Sequence, residues 1–543
     1  MVIDYGMLRC RLKVLFVLFT FHFALFTHEA SASVRHEAEL ARQTRCEVVN
    51  DSRYSGKKAL RLTEQDVRIV FSVDVEAKDK YTIYVAGDGV GGEKVVNCAV
   101  NGSKSQFRMN AYKEVEVGDF IMKAGANEVV ITPNWTWFDV DYIRLENSAG
   151  DIEFNVSAVP VDNDATMAAR EMYGFLYDNF GRKTISGIMV GDMTTYNGNV
   201  LQHADVQAVY KASGQYPALV GFDFMNSTGK NESESWNRDY SRASVELAKD
   251  ICRRGGIPAF TWHWRDPSRK TDAFYSSEAS VKISSAMNPD GSWNRSSALY
   301  KYIIQDIHSV ADLFLELQDE NMACIFRPLH EASGKWFWWG NDGAEHFRQL
   351  YRLIYDEMVH VKGVHNVIWV WNADPDDKDW NPGADYYDVV SADIYNEAFD
   401  YSSSYSVFDK LKMLTEGRRI VALSENGPIP DIQQQIEDGA MWSWWMPWYQ
   451  TWNGRFVDKT SADEWKKCMT DPHVITLGDM KGWNTLTHIE KVTSNKENAQ
   501  VYDLSGRAVS SPSAKKLYII GNKKVIFQYK QTSFVFCKFA EVS

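Results

Sequence analysis

The segment MACIFRPLHE, residues 322–331, predicts how the largest part of this 543-residue chain folds. Its apolar first half is typical of a buried strand, and its end carries two ionisable residues, His330 and Glu331. Further apolar runs share this form, and long helical patterns lie between many of them; the runs are KTISGIMVG, YPALVGFDF, GIPAFTWHW, NVIWVWNADP, YYDVVSADIYN, RIVALSENGP and AMWSWWMPW. Eight such strands in roughly 300 residues favour an α/β fold, a closed (β/α)8 TIM barrel over residues 160–483.

A doubly wound open sheet is the alternative fold for this region. Such a sheet usually has fewer strands, and its nucleotide-binding versions carry a GxGxxG fingerprint after the first strand. The stretch KTISGIMVGDM, residues 183–193, lacks that fingerprint, so the sequence favours the barrel.

The regions on either side of the barrel show different patterns. Residues 34–150 contain short runs such as RIVFSVDV and KYTIYVAG, in which apolar and polar residues alternate, and this period of two predicts a β-sandwich domain. Residues 490–543 are short and rich in strand patterns, which predicts a small C-terminal β module. At the other end, residues 1–32 combine Arg9, Arg11 and Lys13 with an apolar run and an ASA site, as a secretory signal peptide does. That run is too short to span a membrane, no later segment is long and apolar enough, and we expect a secreted or cell-surface protein.

The net charge and the aromatic content indicate which class of ligand the protein can bind. The net charge of −13 repels phosphate backbones, so we expect no nucleic-acid partner. The chain has 19 Trp, 26 Tyr and 27 Phe, and such flat apolar side chains suit the faces of sugar rings as well as protein cores. Cysteines form no CxxC pair; Cys46 and Cys98 could form a disulfide within the first domain or remain free buried thiols.

Two carboxylic acids stand where a barrel places its active site, at the C-terminal ends of strands. Glu331 ends the fourth predicted strand and Glu425, within LSENG, ends the seventh, so the two can face each other across the barrel mouth. Two carboxyl groups that flank one site are what glycoside hydrolysis requires. His263, at the end of the third strand, is a candidate hydrogen-bond donor to a sugar hydroxyl. The HExxH zinc motif does not fit, because its second histidine position is occupied by Gly334, and the chain has no GxSxG nucleophile elbow.

The stretches RPLHEASGKWFWWG (327–340) and VALSENG (421–427) resemble glycoside hydrolase family 26, whose best-known members are endo-β-1,4-mannanases. TWHW, WVWNADP and MWSWWMPW support the resemblance. It implies a retaining mechanism without a cofactor, in which Glu331 is the general acid/base and Glu425 is the nucleophile. The resemblance also implies five substrate-site residues: His263, His330, Trp336, Tyr395 and Trp448. Among these, Tyr395 would hydrogen-bond the nucleophile, and Trp448 would stack on a sugar, although Trp444 and Trp445 are alternatives for that position.

The first domain resembles carbohydrate-binding module family 35 through HEAEL (36–40) and NWTWFDVDYIRLE (134–146). The resemblance implies a structural calcium held by Glu37, Glu39 and Asp141, and oxygen-only ligands suit that ion. Trp135 or Trp137 would stack on a sugar. A sandwich without a ligand is the alternative.

The C-terminal stretch VYDLSGRAV…KKLYIIGNKKVIF resembles the sorting domain of the type IX secretion system, which implies contact with secretion machinery; a plain β module is the alternative. Together these features predict a secreted, retaining endo-β-1,4-mannanase that hydrolyses mannan, glucomannan or galactomannan. The same mechanism on xylan or mixed-linkage β-glucan is the close alternative, and a non-catalytic polysaccharide-binding protein is the distant one.

Overall fold

The structure is a computed structural model, described here for residues 34–148, 152–375, 377–449, 455–480, 482 and 509, together with the strands of a C-terminal sheet. Among these residues, every helix is too short or too polar to pass through a bilayer. The predicted signal peptide, residues 1–32, lies outside the described residues.

Residues 34–148 form two antiparallel sheets that face each other, which confirms the predicted β-sandwich. Their strands are β1 (Val34–Glu37), β2 (Arg42–Thr44), β3 (Glu47–Asn50), β4 (Lys58–Leu62), β5 (Arg68–Val75), β6 (Asp79–Gly89), β7 (Lys94–Val100), β8 (Ser103–Met109), β9 (Lys113–Met122), β10 (Gly125–Pro133) and β11 (Phe138–Asn147). One sheet has the order β3-β4-β11-β6-β9 with β1 beside β11, and the other has the order β2-β5-β10-β7-β8. Buried and accessible residues alternate along strands such as β10, so the apolar side chains of both sheets share one core. Cys46 and Cys98 are both free thiols.

The middle of the chain is a parallel barrel. Its strands are β12 (Thr184–Ile185), β13 (Gly187–Met189), β14 (Leu219–Asp223), β15 (Ile257–Thr261), β16 (Cys324–Arg327), β17 (Val367–Asn372), β18 (Val389–Ile394), β19 (Ile420–Asn426) and β20 (Val474–Ile475). Strands β13 to β19 pair in chain order, each parallel to the next, while β12 pairs with β20. A doubly wound sheet would reverse its strand order in the middle, so this order confirms the barrel prediction.

The eighth predicted strand, AMWSWWMPW, closes the barrel without forming a regular strand. Isolated parallel bridges join Trp444 to Ile185 on one side and Pro447 to Asn426 on the other. The N–H of Leu423 also donates to the carbonyl oxygen of Trp444 over 3.0 Å. Pro447 has no N–H to donate, which is one reason why the ladder is irregular here.

Helices cover the outside of the barrel. They are α1 (Met167–Asn179), α2 (Ala204–Ser213), α3 (Ser235–Arg253), α4 (Ala298–Asp319), α5 (Ala344–Asp356), α6 (Tyr405–Leu414), α7 (Ile432–Asp438) and α8 (Ala462–Met469). In α5, for example, the buried residues Phe347, Leu350 and Ile354 recur at helical spacing and form the face that belongs to the hydrophobic core. Because α-helices separate most of the parallel strands, the strand ends and the loops after them all open at one mouth.

A third, antiparallel sheet lies near the C-terminus. It consists of β21 (Glu490–Val492), β22 (Val501–Tyr502), β23 (Leu517–Ile520), β24 (Lys523–Lys530) and β25 (Ser533–Lys538), in the order β21-β25-β24-β23-β22. The sequence pattern also predicts turns at DLSGR and GNKK; residues 503–507 and 521–522 lie outside the described residues, whereas Lys523 and Lys524 belong to β24 rather than to a turn.

Candidate active site

Glu331 lies four residues beyond the end of β16, in a turn at the barrel mouth. Its backbone is left-handed, with φ of 50°, a conformation that costs free energy for a residue other than glycine and often marks a functional site. Its N–H donates to Oδ1 of Asn372 over 2.7 Å, and Asn372 is the last residue of β17. The neighbouring strand therefore holds this strained turn in place and aims the carboxyl group into the mouth.

Glu425 lies within β19 and is buried. Its two oxygens accept different hydrogen bonds: Oε1 from the guanidinium of Arg327 and Oε2 from the hydroxyl of Tyr395. A guanidinium and a hydroxyl therefore hold the two oxygens of this carboxyl group in fixed positions. The hydroxyl contact is the one that the sequence analysis predicted for Tyr395.

Arg327 links Glu425 to a third carboxyl group. Its Nη1 donates to Oδ2 of Asp393 over 2.9 Å, and the hydroxyl of Ser424 donates to Oδ1 of Asp393 over 2.6 Å. Burial raises the pKa of Asp393, and the charge of Arg327 opposes that rise. Oxygens of Glu331, Asp393 and Glu425 lie within 4.8 Å of one another, but the arginine already supplies the cation that pairs with two of them, so this group does not suit a metal ion.

The two glutamates differ sharply in their surroundings. Burial, followed by the negative charges of Asp393 and Glu425, raises the pKa of Glu331 to about 9, and the nearby Arg327 only partly offsets this. Glu331 therefore carries a proton at neutral pH. The site places a proton donor within 4.8 Å of a carboxylate that is held by a cation, which suits a reaction that needs an acid and a nucleophile together.

Two histidines lie beside the carboxyl groups. The ring centroids of His263 and His330 are 4.5 Å apart, and Nε2 of His330 is 4.0 Å from Oε1 of Glu425. Burial, with the charges of His263 and Arg327, lowers the pKa of His330 well below its ordinary value, so this ring is neutral. Nδ1 of His263 lies 2.6 Å from Oδ2 of Asp223, which orients the ring and leaves Nε2 for another partner.

The aromatic run after Glu331 divides into one accessible ring and three buried ones. Trp336 is 46% exposed, and its Nε1 donates to Oε2 of Glu331 over 2.9 Å. Phe337, Trp338 and Trp339 are at most 3% exposed and pack the loop. The ring of Trp336 lies so close to Gly334 that a Cβ there would overlap it, and this explains the glycine.

The tryptophans of the segment that closes the barrel, AMWSWWMPW, also differ in burial. Trp444 and Trp445 are buried in the two cores of the barrel, at 1% and 0% exposure, whereas Trp448 is only partly buried. The ring of Trp448 lies 5.7 Å from that of His263. Of the three tryptophans considered from the sequence, Trp448 is the one that lies beside His263 and is accessible at the mouth.

The structure brings six predicted residues to one mouth with Glu331: Glu425, His263, His330, Trp336, Tyr395 and Trp448. Four further residues of the mouth were not predicted from the sequence: Arg327, Asp393, Asn372 and Asp223. One signal was available, because an arginine at the end of an apolar strand needs a buried partner. The partners themselves depend on the barrel's closure.

The predicted calcium residues lie in the first domain. The hydroxyl of Ser55 donates to Glu37 over 2.9 Å, and Asp141 accepts from the hydroxyl of Tyr112 over 2.7 Å. The other oxygens, Oε2 of Glu37, Oε2 of Glu39 and Oδ1 of Asp141, are buried without a hydrogen-bond partner. Burial, then the charges of Glu37 and Glu39, raise the pKa of Asp141. Carboxylate oxygens are ligands that suit calcium, but among the described residues the group whose acidic oxygens all lie within 4.8 Å of one another is Glu331, Asp393 and Glu425, not these three. Trp135 lies in the loop between β10 and β11 and is 51% exposed.

A parallel barrel with an acid and an arginine-held carboxylate at its mouth defines a glycoside hydrolase. The chain belongs to glycosyl hydrolase family 26, whose model matches residues 161–481, and the model of carbohydrate-binding module family 35 matches residues 34–148.

Its relatives agree with this assignment. The chain is 31% identical over 435 residues to a mannan endo-1,4-β-mannosidase of Thermothelomyces thermophilus, covering 77% of this chain and 84% of the relative. It is 30% identical to mannan endo-1,4-β-mannosidase B of a Piromyces species, and the match covers 77% of this chain and 71% of that relative. Among solved structures it resembles a GH26-CBM35 β-(1,4)-mannanase of Podospora anserina, with a TM-score of 0.55 and 26% identity. The match covers 83% of this chain and 99% of that structure. It also resembles a β-mannanase from a symbiotic protist of the termite Reticulitermes speratus, with a TM-score of 0.54, 37% identity and coverage of 61% and 100%.

Proposed function

We propose that the protein is a secreted, retaining endo-β-1,4-mannanase that works by double displacement. The observation that carries this proposal is the pair Glu331 and Glu425, whose oxygens approach within 4.8 Å of each other. Retaining enzymes hold their carboxyl groups about 5–5.5 Å apart, whereas inverting enzymes leave room for a water molecule between them. The short separation favours retention.

In the first step, the proton on Glu331 passes to the glycosidic oxygen while Glu425 attacks the anomeric carbon. The bond between that carbon and the leaving sugar breaks, and an ester bond to Glu425 forms. Arg327 and Tyr395 hold the attacking carboxylate in position. The raised pKa of Glu331 keeps the proton available at the start of the cycle.

In the second step, Glu331 changes its role. Ester formation removes the negative charge of Glu425, one of the charges that raise the pKa of Glu331, so that pKa falls. The carboxylate of Glu331 then takes a proton from water, and the oxygen of that water attacks the anomeric carbon. The ester breaks, Glu425 regains its charge, and the sugar leaves with its original configuration.

The choice of mannan rests on the relatives, which are named as mannan endo-1,4-β-mannosidases. Xylan and mixed-linkage glucan share the β-linked pyranose backbone, and the aromatic residues of the site would stack on either. Parallel assays on mannan, glucomannan, galactomannan, xylan and lichenan decide between them. We expect reducing ends from the mannan-type substrates; release from xylan or lichenan alone would overturn the substrate assignment.

The reaction mechanism is tested with Glu425→Ala. We expect loss of nearly all activity on mannan, and a newly formed β anomer when the wild-type products are followed by NMR from the first turnovers. Glu316→Ala is a matched control, because Glu316 is an exposed glutamate on the outer helix α4. Activity of Glu425→Ala equal to the wild type would overturn the assignment of this site, and an initial α anomer would overturn retention.

We infer that the first domain binds mannan and a structural calcium ion. Glu37, Glu39 and Asp141 would hold the ion, which would stabilise the loops of the sandwich, and Trp135 would stack on a sugar. The full chain carrying Glu425→Ala permits binding measurements without hydrolysis. We expect chelator to lower its unfolding temperature and weaken binding to insoluble mannan, and Asp141→Asn to abolish the calcium response. An unfolding temperature that is the same with and without calcium would refute the proposed calcium site.

We infer secretion from residues 1–32 and, through the resemblance of residues 490–543, use of a type IX sorting route. The exported protein should begin near residue 33 when its N-terminus is sequenced. Deletion of residues 490–543 should retain it inside a host that has the type IX system. Export of the deleted form at the normal level would refute the sorting role without affecting the signal peptide.

A further inference from the structure

A cleft of about 740 Å³ has walls from two domains. One wall comes from the barrel loops after β16, β17 and β18 and includes Glu331 and Trp336. The other comes from the first domain, where β7, β8 and β10 contribute residues to the cleft. The first domain therefore borders the space into which the proton donor points.

The domain's contribution is an ordered polar surface. Gln106 on β8, Asn97 on β7 and Thr132 on β10 are direct cross-strand partners, and all three line the cleft. They form one row across the outer face of the sheet, because residues opposite each other in paired strands point to the same side. Nε2 of Gln106 donates to Oδ1 of Asn97 over 2.9 Å, which aligns the two amides. Asn134 extends the lining beyond the end of β10.

Contacts between the domains hold this wall in place. Lys80 of β6 pairs with Asp409 of α6 over 3.3 Å, and both side chains are buried. The N–H of Lys104 donates to the hydroxyl of Ser402 over 3.0 Å, and Nζ of Lys104 pairs with Asp400. These partners belong to α6 and to the loop before it, so β8 of the cleft wall and β6 of the facing sheet are both held against the segment that follows β18.

We propose that this face of the first domain, the row Gln106–Asn97–Thr132 with Asn134, is a sugar-binding subsite of the catalytic cleft, on the side of the leaving group. The ligand is the β-1,4-linked hexose chain that the barrel cleaves, so the inference rests on the proposed function. The domain then acts within the active site rather than as a remote anchor.

The side of the cleft follows from which residues line it. Glu331 and Trp336 line it, together with Asp393 and Tyr395 from the end of β18, whereas Glu425, His263 and Trp448, which are described residues of the same mouth, do not. Glu331 gives its proton to the oxygen that departs with the leaving sugar. The part of the chain on the Glu331 side of the cut is therefore the part that leaves, and the first domain lies beside it.

The chemistry of the surface suits a sugar chain. Amide and hydroxyl groups both donate and accept hydrogen bonds, as pyranose hydroxyls require. Val130, Thr132 and Asn134 succeed one another on the cleft side, and their span of about 14 Å exceeds the width of a single sugar ring. An exposed indole, that of Trp336 at 46% exposure, lines the cleft beside Glu331.

The test uses the full-length triple variant Asn97→Ala/Gln106→Ala/Thr132→Ala and two substrates. One substrate is mannohexaose, whose leaving part is long enough to reach the first domain. The other is an aryl β-mannobioside, whose leaving group is only the phenol. Loss of two or three hydrogen bonds of about 1 kcal/mol each corresponds to about 30–140-fold. We expect the ratio of kcat/KM for the hexaose to that for the aryl glycoside to fall by about that factor.

Two further variants make the result decisive. Thr132→Arg inserts a long side chain into the cleft and should lower the same ratio without removing any packing from the core. Thr44→Ala/Ser72→Ala alters exposed residues of β2 and β5 in the same sheet, outside this cleft, and should leave the ratio at the wild-type value. Equal unfolding temperatures would exclude a folding defect as the cause.

The outcomes separate this inference from the function on which it rests. An unchanged ratio in both the triple variant and Thr132→Arg would overturn the subsite while leaving the mannanase intact. Equal losses on both substrates would also overturn it, because a subsite on the leaving-group side cannot act on a phenol. A wild-type enzyme inactive on both substrates would overturn the proposed function, and the subsite with it.

Discussion

Replacing Arg327 by Met should destabilise the barrel strongly, and by an amount that depends on pH. Arg327 binds Asp393 and Glu425 at once, and all three side chains are at most 4% exposed. Methionine has a similar length but no charge, so the variant buries two carboxyl groups that have lost their cation. Breaking a buried ion pair by removing one partner typically costs about 3–5 kcal/mol. Because Arg327 pairs with two carboxylates, its loss belongs at the upper end of that range.

The pH dependence follows from the pKa of Asp393. Burial already raises it, and loss of the Arg327 charge raises it further above its value in the unfolded chain. The folded state then binds more protons than the unfolded state, so the free energy of unfolding falls as pH rises from the unfolded pKa towards the folded one. The variant should therefore be closest to the wild type near pH 5 and furthest from it near pH 8.

A double-mutant cycle with Asp393→Asn measures this coupling. Urea unfolding is followed by tryptophan fluorescence for the wild type, both single variants and Arg327→Met/Asp393→Asn at pH 5 and pH 8. We expect the double variant to be more stable at pH 8 than the sum of the single losses, by about 1–3 kcal/mol. Additive losses, or a larger loss at pH 5 than at pH 8 for Arg327→Met, would refute the reasoning.

Further predictions concern the groups around the carboxyl pair. On the alkaline side of the pH profile, kcat/KM should fall as Glu331 loses its proton. Trp336→Phe should move that fall to higher pH, because the indole N–H that it removes favours the ionised form of Glu331. A shift of the fall to lower pH would contradict this. Asp223→Asn should lower kcat/KM about tenfold by weakening the orientation of His263, while Asp223→Glu should recover part of the loss in the same steady-state assay. Trp448→Ala should lower kcat/KM on mannan about tenfold through loss of the stacking surface, and an unchanged value would remove Trp448 from the sugar site.

The alternation of apolar runs with helical patterns along the chain was sufficient to predict the barrel. Strands buried on both faces read as continuous apolar runs, and seven of the eight predicted runs contain the strands β13 to β19. The eighth run forms isolated bridges instead of a regular strand, in part because Pro447 has no N–H to donate, although it still occupies the closing position. In the first domain, strands such as β8 and β9 carry many polar residues, and the alternating runs did not reveal them.

The candidate site was predictable only in part. Glu331 and Glu425 could be located because each stands at or just beyond the end of a predicted apolar run, and strand ends meet at one mouth. The partners of Arg327 could not, since Asp393 and Glu425 lie 66 and 98 residues away and meet it only when the barrel closes. The assignment of Trp448 over Trp444 also needed coordinates, because neighbouring tryptophans on an irregular segment have no fixed alternation between core and mouth.

The loop between β18 and α6 joins the chemistry of the barrel to the first domain. It begins with Tyr395, whose hydroxyl donates to Glu425, and continues through Asp400 and Ser402, which contact Lys104 of the sandwich. A loop fixed at both ends holds the tyrosine more rigidly than a loop fixed only at its strand, because fewer conformations compete with the bonded one. Docking of the first domain therefore serves two purposes at once: it forms a wall of the cleft, and it restrains the donor that orients the attacking carboxylate.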